Sequence, residues 1–177
     1  MLFDVGEGTQ RQMMRFGTGF DVGEVFLTHV HGDHVLGLPG LIQTWNFNER
    51  SDPLTVYTPR GTVSTVRNLV HALRTDPDFP VSVKGVGAGR VLVDREEYEI
   101  RTFRTEHRTP SVGYSLVEDD RKGRFDRERA EELGVPVGPL FSELHEGNPV
   151  ELEDGTVVSP EEVVGPPRPG RSGVYTG

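Results

Sequence analysis

The chain contains no cysteine. That excludes disulfides and thiolate ligands, so any metal held here is held by nitrogen and oxygen. Lysine is nearly absent: Lys84 and Lys122 stand against many arginines. The formal net charge is −9, so global charge leaves no footprint for nucleic acid. An acidic, lysine-poor composition fits a protein that works in concentrated salt, where solvated carboxylates keep it dissolved. There is no long apolar run and no charged-then-apolar start, so neither a membrane helix nor a signal peptide can be read. A cytoplasmic setting without a membrane partner is the expectation. No internal repeat is visible. At 177 residues the chain has material for one domain with a real core.

What is present is concentrated in one place. The run Thr28-His29-Val30-His31-Gly32-Asp33-His34 follows the apolar stretch Val25-Phe26-Leu27. Three imidazoles and one carboxylate within six residues are poorly explained by packing. In an extended segment, positions two apart point the same way, so His29 and His31 can grip one ion. Gly32 permits a sharp turn that swings Asp33 and His34 towards a second ion. Imidazole with carboxylate suits zinc.

The rest of the pattern alternates strands and helices, which predicts an α/β class with a mixed sheet. Residues 2–5 read as a buried strand, followed by a helix capped by Thr9 and running through Arg15. Strands are expected at 25–28, 54–58, 81–86, 91–93, 97–105 and 112–117. A helix is expected at 36–47, with its regular part after Pro39-Gly40. Thr62 is expected to cap a second helix, in which Val63, Val66, Val70 and Leu73 recur at helical spacing. From Glu118 the character changes. Residues 118–132 are almost entirely charged, and Asp154-Gly155 is a hairpin turn. With few core-forming residues, 118–164 reads as an excursion from a body formed by 1–117. Residues 165–177 read as a Pro/Gly/Arg linker and the start of a strand. His71 reads as non-functional and His145 as solvated.

Several segments together resemble tRNase Z, the tRNA 3′-processing endonuclease of the metallo-β-lactamase superfamily. They are Leu2-Phe3-Asp4-Val5-Gly6-Glu7-Gly8-Thr9-Gln10-Arg11-Gln12, the histidine run, Glu106-His107-Arg108-Thr109-Pro110-Ser111-Val112-Gly113-Tyr114, residues 133–141, and Tyr175-Thr176-Gly177. The resemblance implies an αββα sandwich, incomplete in this chain, with two zinc ions (Zn2+) per subunit at one edge of the sheets. His29, His31 and His107 would hold the first zinc, and Asp33 and His34 the second. Asp33 would also handle a proton. Asp4 would hydrogen-bond the metal loop from behind, a role with physical sense because outer groups orient ligands. The implied reaction is metal-dependent hydrolysis of precursor tRNA, leaving a 3′-hydroxyl on the tRNA. The implied partner arrangement is a homodimer. In it, residues 118–164 form a flexible arm that clamps a tRNA bound by the other subunit, with Gly138-Pro139 at the arm's turn.

The chain also departs from the family. The family has further residues before Leu2, and its next residue after the Tyr-Thr-Gly strand is a zinc-bridging aspartate. A fragment lacking both ends, inactive by itself, is therefore expected. The arm is poorly basic, with Arg121, Arg124, Arg127 and Arg129 as candidate phosphate contacts among interleaved acids. Alternative readings are a remnant that binds RNA or a full-length subunit, and a superfamily hydrolase of small esters.

Overall fold

The structure is a computed structural model that describes residues 1–73 and 76–177. Its elements in chain order are β1 (Leu2–Phe3), α1 (Thr9–Phe16), β2 (Glu24–Phe26), α2 (Gly32–Val35), α3 (Gly37–Phe47), β3 (Leu54–Pro59), α4 (Val63–Val70), β4 (Val81–Val86), β5 (Val91–Asp94), β6 (Tyr98–Arg104) and β7 (Val112–Glu118). Then follow α5 (Arg127–Glu132), α6 (Pro139–Glu146), β8 (Val150–Glu151), β9 (Val157–Val158) and β10 (Ser172–Tyr175). The chain divides into two units, Met1–Val117 with Ser172–Gly177, and Glu118–Arg171.

In the first unit, β1-β2-β3-β4 form a parallel sheet. Strands β10-β7-β6-β5 form a second sheet in which the β10–β7 and β5–β6 pairs are antiparallel. Side chains alternate across a strand, and here the alternation sorts residues into two cores. Val25, Leu27, Leu54 and Val56 pack with Leu38, Leu41, Ile42, Trp45, Val66 and Val70 of the helices. Phe26 and Tyr57 point the other way and pack with Val93, Ile100, Val112 and Tyr114 of the second sheet. The order of layers is thus helices, sheet, sheet. The metallo-β-lactamase fold expected from the sequence is present in these layers.

An aromatic ladder runs through the inter-sheet core. Phe3 stacks on Phe26 at 5.1 Å between ring centroids, and Phe26 on Tyr57 at 4.9 Å, one ring from each of three neighbouring strands. Tyr114 meets Phe26 edge-on at 5.4 Å. Offset stacks and edge contacts of this kind are the favoured aromatic geometries.

Four local expectations need correction. The N-cap of α1 is Gly8 in the left-handed region; the Thr9 hydroxyl instead donates to Gly6 O at 2.9 Å. Helix α3 begins at Gly37, ahead of Pro39-Gly40. Pro39 is tolerated because it lies in the first turn, where its missing N–H would have had no partner. Helix α4 stops at Val70, so Leu73 lies outside it and is exposed. Thr62 does precede α4, but its hydroxyl bonds Pro59 O and Thr58 Oγ1 rather than a helix amide.

The second unit has a core of its own, which the composition of 118–164 did not suggest. Ala130, Val135, Leu144, Val150, Val158 and Val163 are buried together. Ala130 comes from α5, Leu144 from α6, and Val150 and Val158 from the β8–β9 hairpin, whose register pairs them around Asp154-Gly155; Val135 and Val163 come from the connecting segments. The unit continues past 164. Arg121 pairs antiparallel with Arg168 and Phe125 with Val164, so the incoming and outgoing segments form one ribbon. His145 is not simply solvated: its Nε2 lies 3.2 Å from Gly123 O.

Candidate metal centre

The site lies where loops from both sheets of the first unit meet. Strand β2 is buried on both faces and delivers Thr28 and His29 at its end, both buried. Chain direction is then fixed by two clips to the opposite sheet. Val112 N donates to Thr28 O at 3.0 Å, and the Tyr114 hydroxyl donates to Leu27 O at 2.7 Å. The loop between β6 and β7 is closed at its base by Thr105 Oγ1 donating to Ser111 Oγ at 2.7 Å, and it carries His107 to the histidine run.

His29, His31 and His107 come together. Their ligand nitrogens lie within 4.8 Å of one another. His107 Nε2 is 3.2 Å from His31 Nδ1. The ring of His29 meets that of His31 at 4.8 Å and that of His107 at 4.6 Å. Two nitrogens on a tetrahedral zinc, each bonded at about 2.0–2.1 Å, stand about 3.3 Å apart, so the donors fit the ion in kind and spacing.

Hydrogen bonds fix which nitrogen His29 and His34 offer. Asp4 Oδ1 accepts from Thr28 N at 2.7 Å, and Oδ2 accepts from Thr28 Oγ1 at 2.7 Å. The single Thr28 hydroxyl proton is spent on Asp4. At His29 Nδ1, 3.0 Å away, Thr28 Oγ1 must therefore accept. His29 carries its proton on Nδ1 and presents the Nε2 lone pair. Asp4 Oδ2 also lies 2.6 Å from His34 Nδ1, which puts the His34 proton there and leaves its Nε2 open. Burial first, and then the neighbouring His34 ring, hold the His29 pKa below its ordinary value, so this ligand stays neutral.

Asp33 and His34 form a second cluster beside the first. Asp33 Oδ2 is 3.4 Å from His34 Nε2, and the Asp33 side chain is 80% exposed. The His34 ring lies 4.0 Å from that of His29. An oxygen and a nitrogen at this separation also suit one ion of zinc size.

Close backbone packing holds the two loops together. Val5 N donates to His34 O at 2.7 Å, and Gly37 N donates to Val5 O at 2.9 Å. A Cβ on Gly6 would lie 2.0 Å from Asp33 O, and one on Gly37 would lie 2.1 Å from Gly6 O. Asp4 itself has φ 54, a left-handed conformation uncommon outside glycine, and its three side-chain contacts offset that cost.

Two contributors were missed in the residues alone. Thr28 is the hydrogen-bond bridge between Asp4 and His29. Tyr175, at the end of β10, lies near Asp4, and burial followed by that carboxylate's charge raises its pKa. A threonine ending an apolar run and a tyrosine in an alternating strand carry no local signal of such roles. Of the remaining expected site residues, Gly138 and Pro139 lie in the second unit, where Gly138 precedes α6 and Pro139 opens it.

Residues 1–171 match the profile of the Metallo-beta-lactamase superfamily. The chain is 65% identical over 177 residues to a protein named ribonuclease Z from Natronomonas pharaonis, covering 100% of this chain and 58% of that protein. It is 63% identical over 176 residues to ribonuclease Z of Halobacterium salinarum, covering 99% and 57%. Both relatives come from halophilic archaea. The chain thus spans under two thirds of the curated relatives it matches. Among solved structures, human tRNase Z, short form, superposes with a TM-score of 0.57 at 32% identity, covering 66% of this chain and 52% of that one. A long-form RNase Z from yeast superposes with a TM-score of 0.55 at 13% identity, covering 67% and 23%, which bears on the fold alone. With its two-sheet fold, its convergent histidines and this match in hand, the chain belongs to the metallo-β-lactamase superfamily.

Proposed function

We propose that this chain carries the metal site of a zinc-dependent endoribonuclease that removes the 3′ trailer from precursor tRNA. The observation that supports it most is the convergence of His107 on His29 and His31 in a chain 65% identical to ribonuclease Z. In this reading His29, His31 and His107 hold one zinc, and Asp33 with His34 contribute to a second. A divalent ion bound there supplies Lewis acidity towards a phosphodiester and its attacking water.

The chain's own residues do the rest. Asp4 and Thr28 orient His29 and His34 so that each directs Nε2 outward. Such outer partners hold ligand geometry and raise ligand basicity. Asp33, exposed and adjacent to His34, is placed to take a proton from the attacking water and pass it to the leaving 3′-oxygen. The unit Glu118–Arg171 would serve as the arm that grips tRNA, with Gly138-Pro139 at the start of one of its helices. A body with its own buried core suits a clamp better than a loose loop would. The proposed assembly is a homodimer in the cytoplasm of a salt-adapted cell. Among the described residues no helix is long and apolar enough to cross a membrane.

The test places these 177 residues in the matching segment of Haloferax volcanii ribonuclease Z, which is 64% identical to them. The chimera should cleave a precursor tRNA at the trailer in the presence of zinc and lose that cleavage with His107→Ala. A folded, zinc-loaded chimera that leaves the transcript intact would defeat the proposal.

A further inference from the structure

His29 and His34 are oriented by hydrogen bonds at their Nδ1 atoms, and His107 is not. Its one polar contact is the 3.2 Å approach of its Nε2 to His31 Nδ1, and among the described residues nothing hydrogen-bonds its other nitrogen. Its placement must therefore come from the loop that carries it. That loop is tied at its base, by Thr105 to Ser111 and by Val112 to Thr28, which leaves residues 106–110 between the ties. A ligand has to be held to within about 0.5 Å, so something must support the span itself.

The corner between β3 and α4 meets that span. Strand β3 stays paired with β4 as far as Pro59 opposite Val86, and the chain then makes a single 3₁₀ turn, Arg60–Thr62, into α4. Two buried hydroxyls hold the turn shut. Thr62 Oγ1 donates to Pro59 O at 2.7 Å, which commits its only proton, so at 2.7 Å it accepts from Thr58 Oγ1. On one side the corner is backed by β4: a Cβ on Gly85 would lie 2.7 Å from Val63 Cγ2 and 3.2 Å from Arg60 Cα. On the other side a Cβ on Gly61 would lie 3.2 Å from Pro110 Cγ and 3.6 Å from Pro110 Cβ. The corner is thus wedged between β4 and the loop that carries His107.

We infer that this corner positions the metal ligand His107: Gly61 is the backstop for Pro110, and the hydroxyl pair of Thr58 and Thr62 fixes where that backstop stands. The inference rests on the reading of His107 as a zinc ligand and names what holds it in place. A close-packed contact transmits displacement from one side to the other, so a change at Gly61 reaches His107 without altering any ligand. The backbone of Gly61 accepts a side chain, since its φ is not positive. An alanine there therefore acts through Pro110 and not through backbone strain. Thr58, Gly61 and Thr62 are positioning residues.

The experiment is an equilibrium titration of the 177-residue chain with Co2+, reading affinity and visible spectrum, with thermal unfolding alongside. Wild type, His107→Ala, Gly61→Ala, Pro110→Ala, Gly61→Ala/Pro110→Ala, Thr62→Val, Thr62→Ser and Gly23→Ala are compared. Gly61→Ala should bind at least roughly tenfold more weakly and move the spectrum towards that of His107→Ala, the size expected when a ligand loses its support. In the double variant the two methyl groups stand at an ordinary 3.6 Å contact, so it should bind like Pro110→Ala alone. Thr62→Val keeps the shape, removes the hydroxyl and should weaken binding by a similar factor, and Thr62→Ser should recover most of it. Gly23→Ala, with nothing near it, stays at wild type. A Gly61→Ala chain that melts lower yet binds with wild-type affinity and spectrum makes the corner a structural part only and overturns the inference. A double variant that binds no better than Gly61→Ala overturns it too. Should Gly61→Ala not fold, equal affinity in Thr62→Val and Thr62→Ser overturns it instead. A His107→Ala chain that binds like wild type removes the ligand reading, and this inference with it.

Discussion

Asp4 Oδ2 lies 2.6 Å from His34 Nδ1, and this contact joins the end of the first strand to the metal loop thirty residues later. The same oxygen accepts the Thr28 hydroxyl, which in turn faces His29. One carboxylate therefore sets the tautomers of two rings in the two clusters.

Asp4→Asn should weaken zinc binding by about 10–100-fold, the usual cost of losing an outer partner of metal ligands. Asparagine has one acceptor oxygen, and it cannot serve Thr28 N, Thr28 Oγ1 and His34 Nδ1 together. Chelator-competition titration reads the loss. An Asp4→Asn chain that binds zinc like wild type would show that the rings orient themselves.

Gly6→Ala should destabilise the chain by about 1–3 kcal/mol, because the added methyl meets the Asp33 carbonyl and must push the loops apart. Gly23→Ala, where nothing lies within 4 Å and φ is not positive, should change stability by less than about 0.5 kcal/mol. Urea unfolding midpoints compare the two, and equal midpoints would contradict the close-approach account.

Alkaline pH should destabilise the fold through its tyrosines. Tyr114 is raised above the ordinary 10.0 by burial and then by Asp4, and Tyr57 by burial and then by Glu24. The unfolded phenols ionise near 10.0, while the folded ones keep their protons to higher pH. The folded state then binds more protons, so stability is full below that pH and is lost as pH rises beyond it. Tyr114→Phe should cost about 1 kcal/mol at neutral pH by losing the bond to Leu27 O, and should flatten the alkaline decline. Urea midpoints at about pH 8 and about pH 10.5 test this, and an unchanged decline in the variant would refute it.

Much of this was legible from residue order, for reasons that particular segments make plain. Strand β6 was legible from Tyr98, Ile100 and Phe103, but its buried positions are Ile100 and Thr102, while Phe103 is only half-buried. The histidine run declared itself by donor density. Three other features had no linear signal. The start of α3 at Gly37 was hidden by Pro39-Gly40, which read as a breaker but occupies the one turn where proline is harmless. The tight approach of Gly6 to Asp33 exists only once two distant loops meet. The core of the second unit was hidden because Ala130, Val135, Leu144, Val150, Val158 and Val163 are scattered through charged sequence and form no periodic run.

The central claim is that His107 shares an ion with His29 and His31, and cobalt titration of the 177-residue chain tests it most directly. Visible absorption of bound Co2+ reports a nitrogen-rich site, and zinc should displace it. The account predicts that His107→Ala lowers cobalt affinity by at least roughly tenfold and shifts the spectrum, as His29→Ala and His31→Ala do. Unchanged affinity and spectrum in His107→Ala, with both lost in His29→Ala, would contradict it.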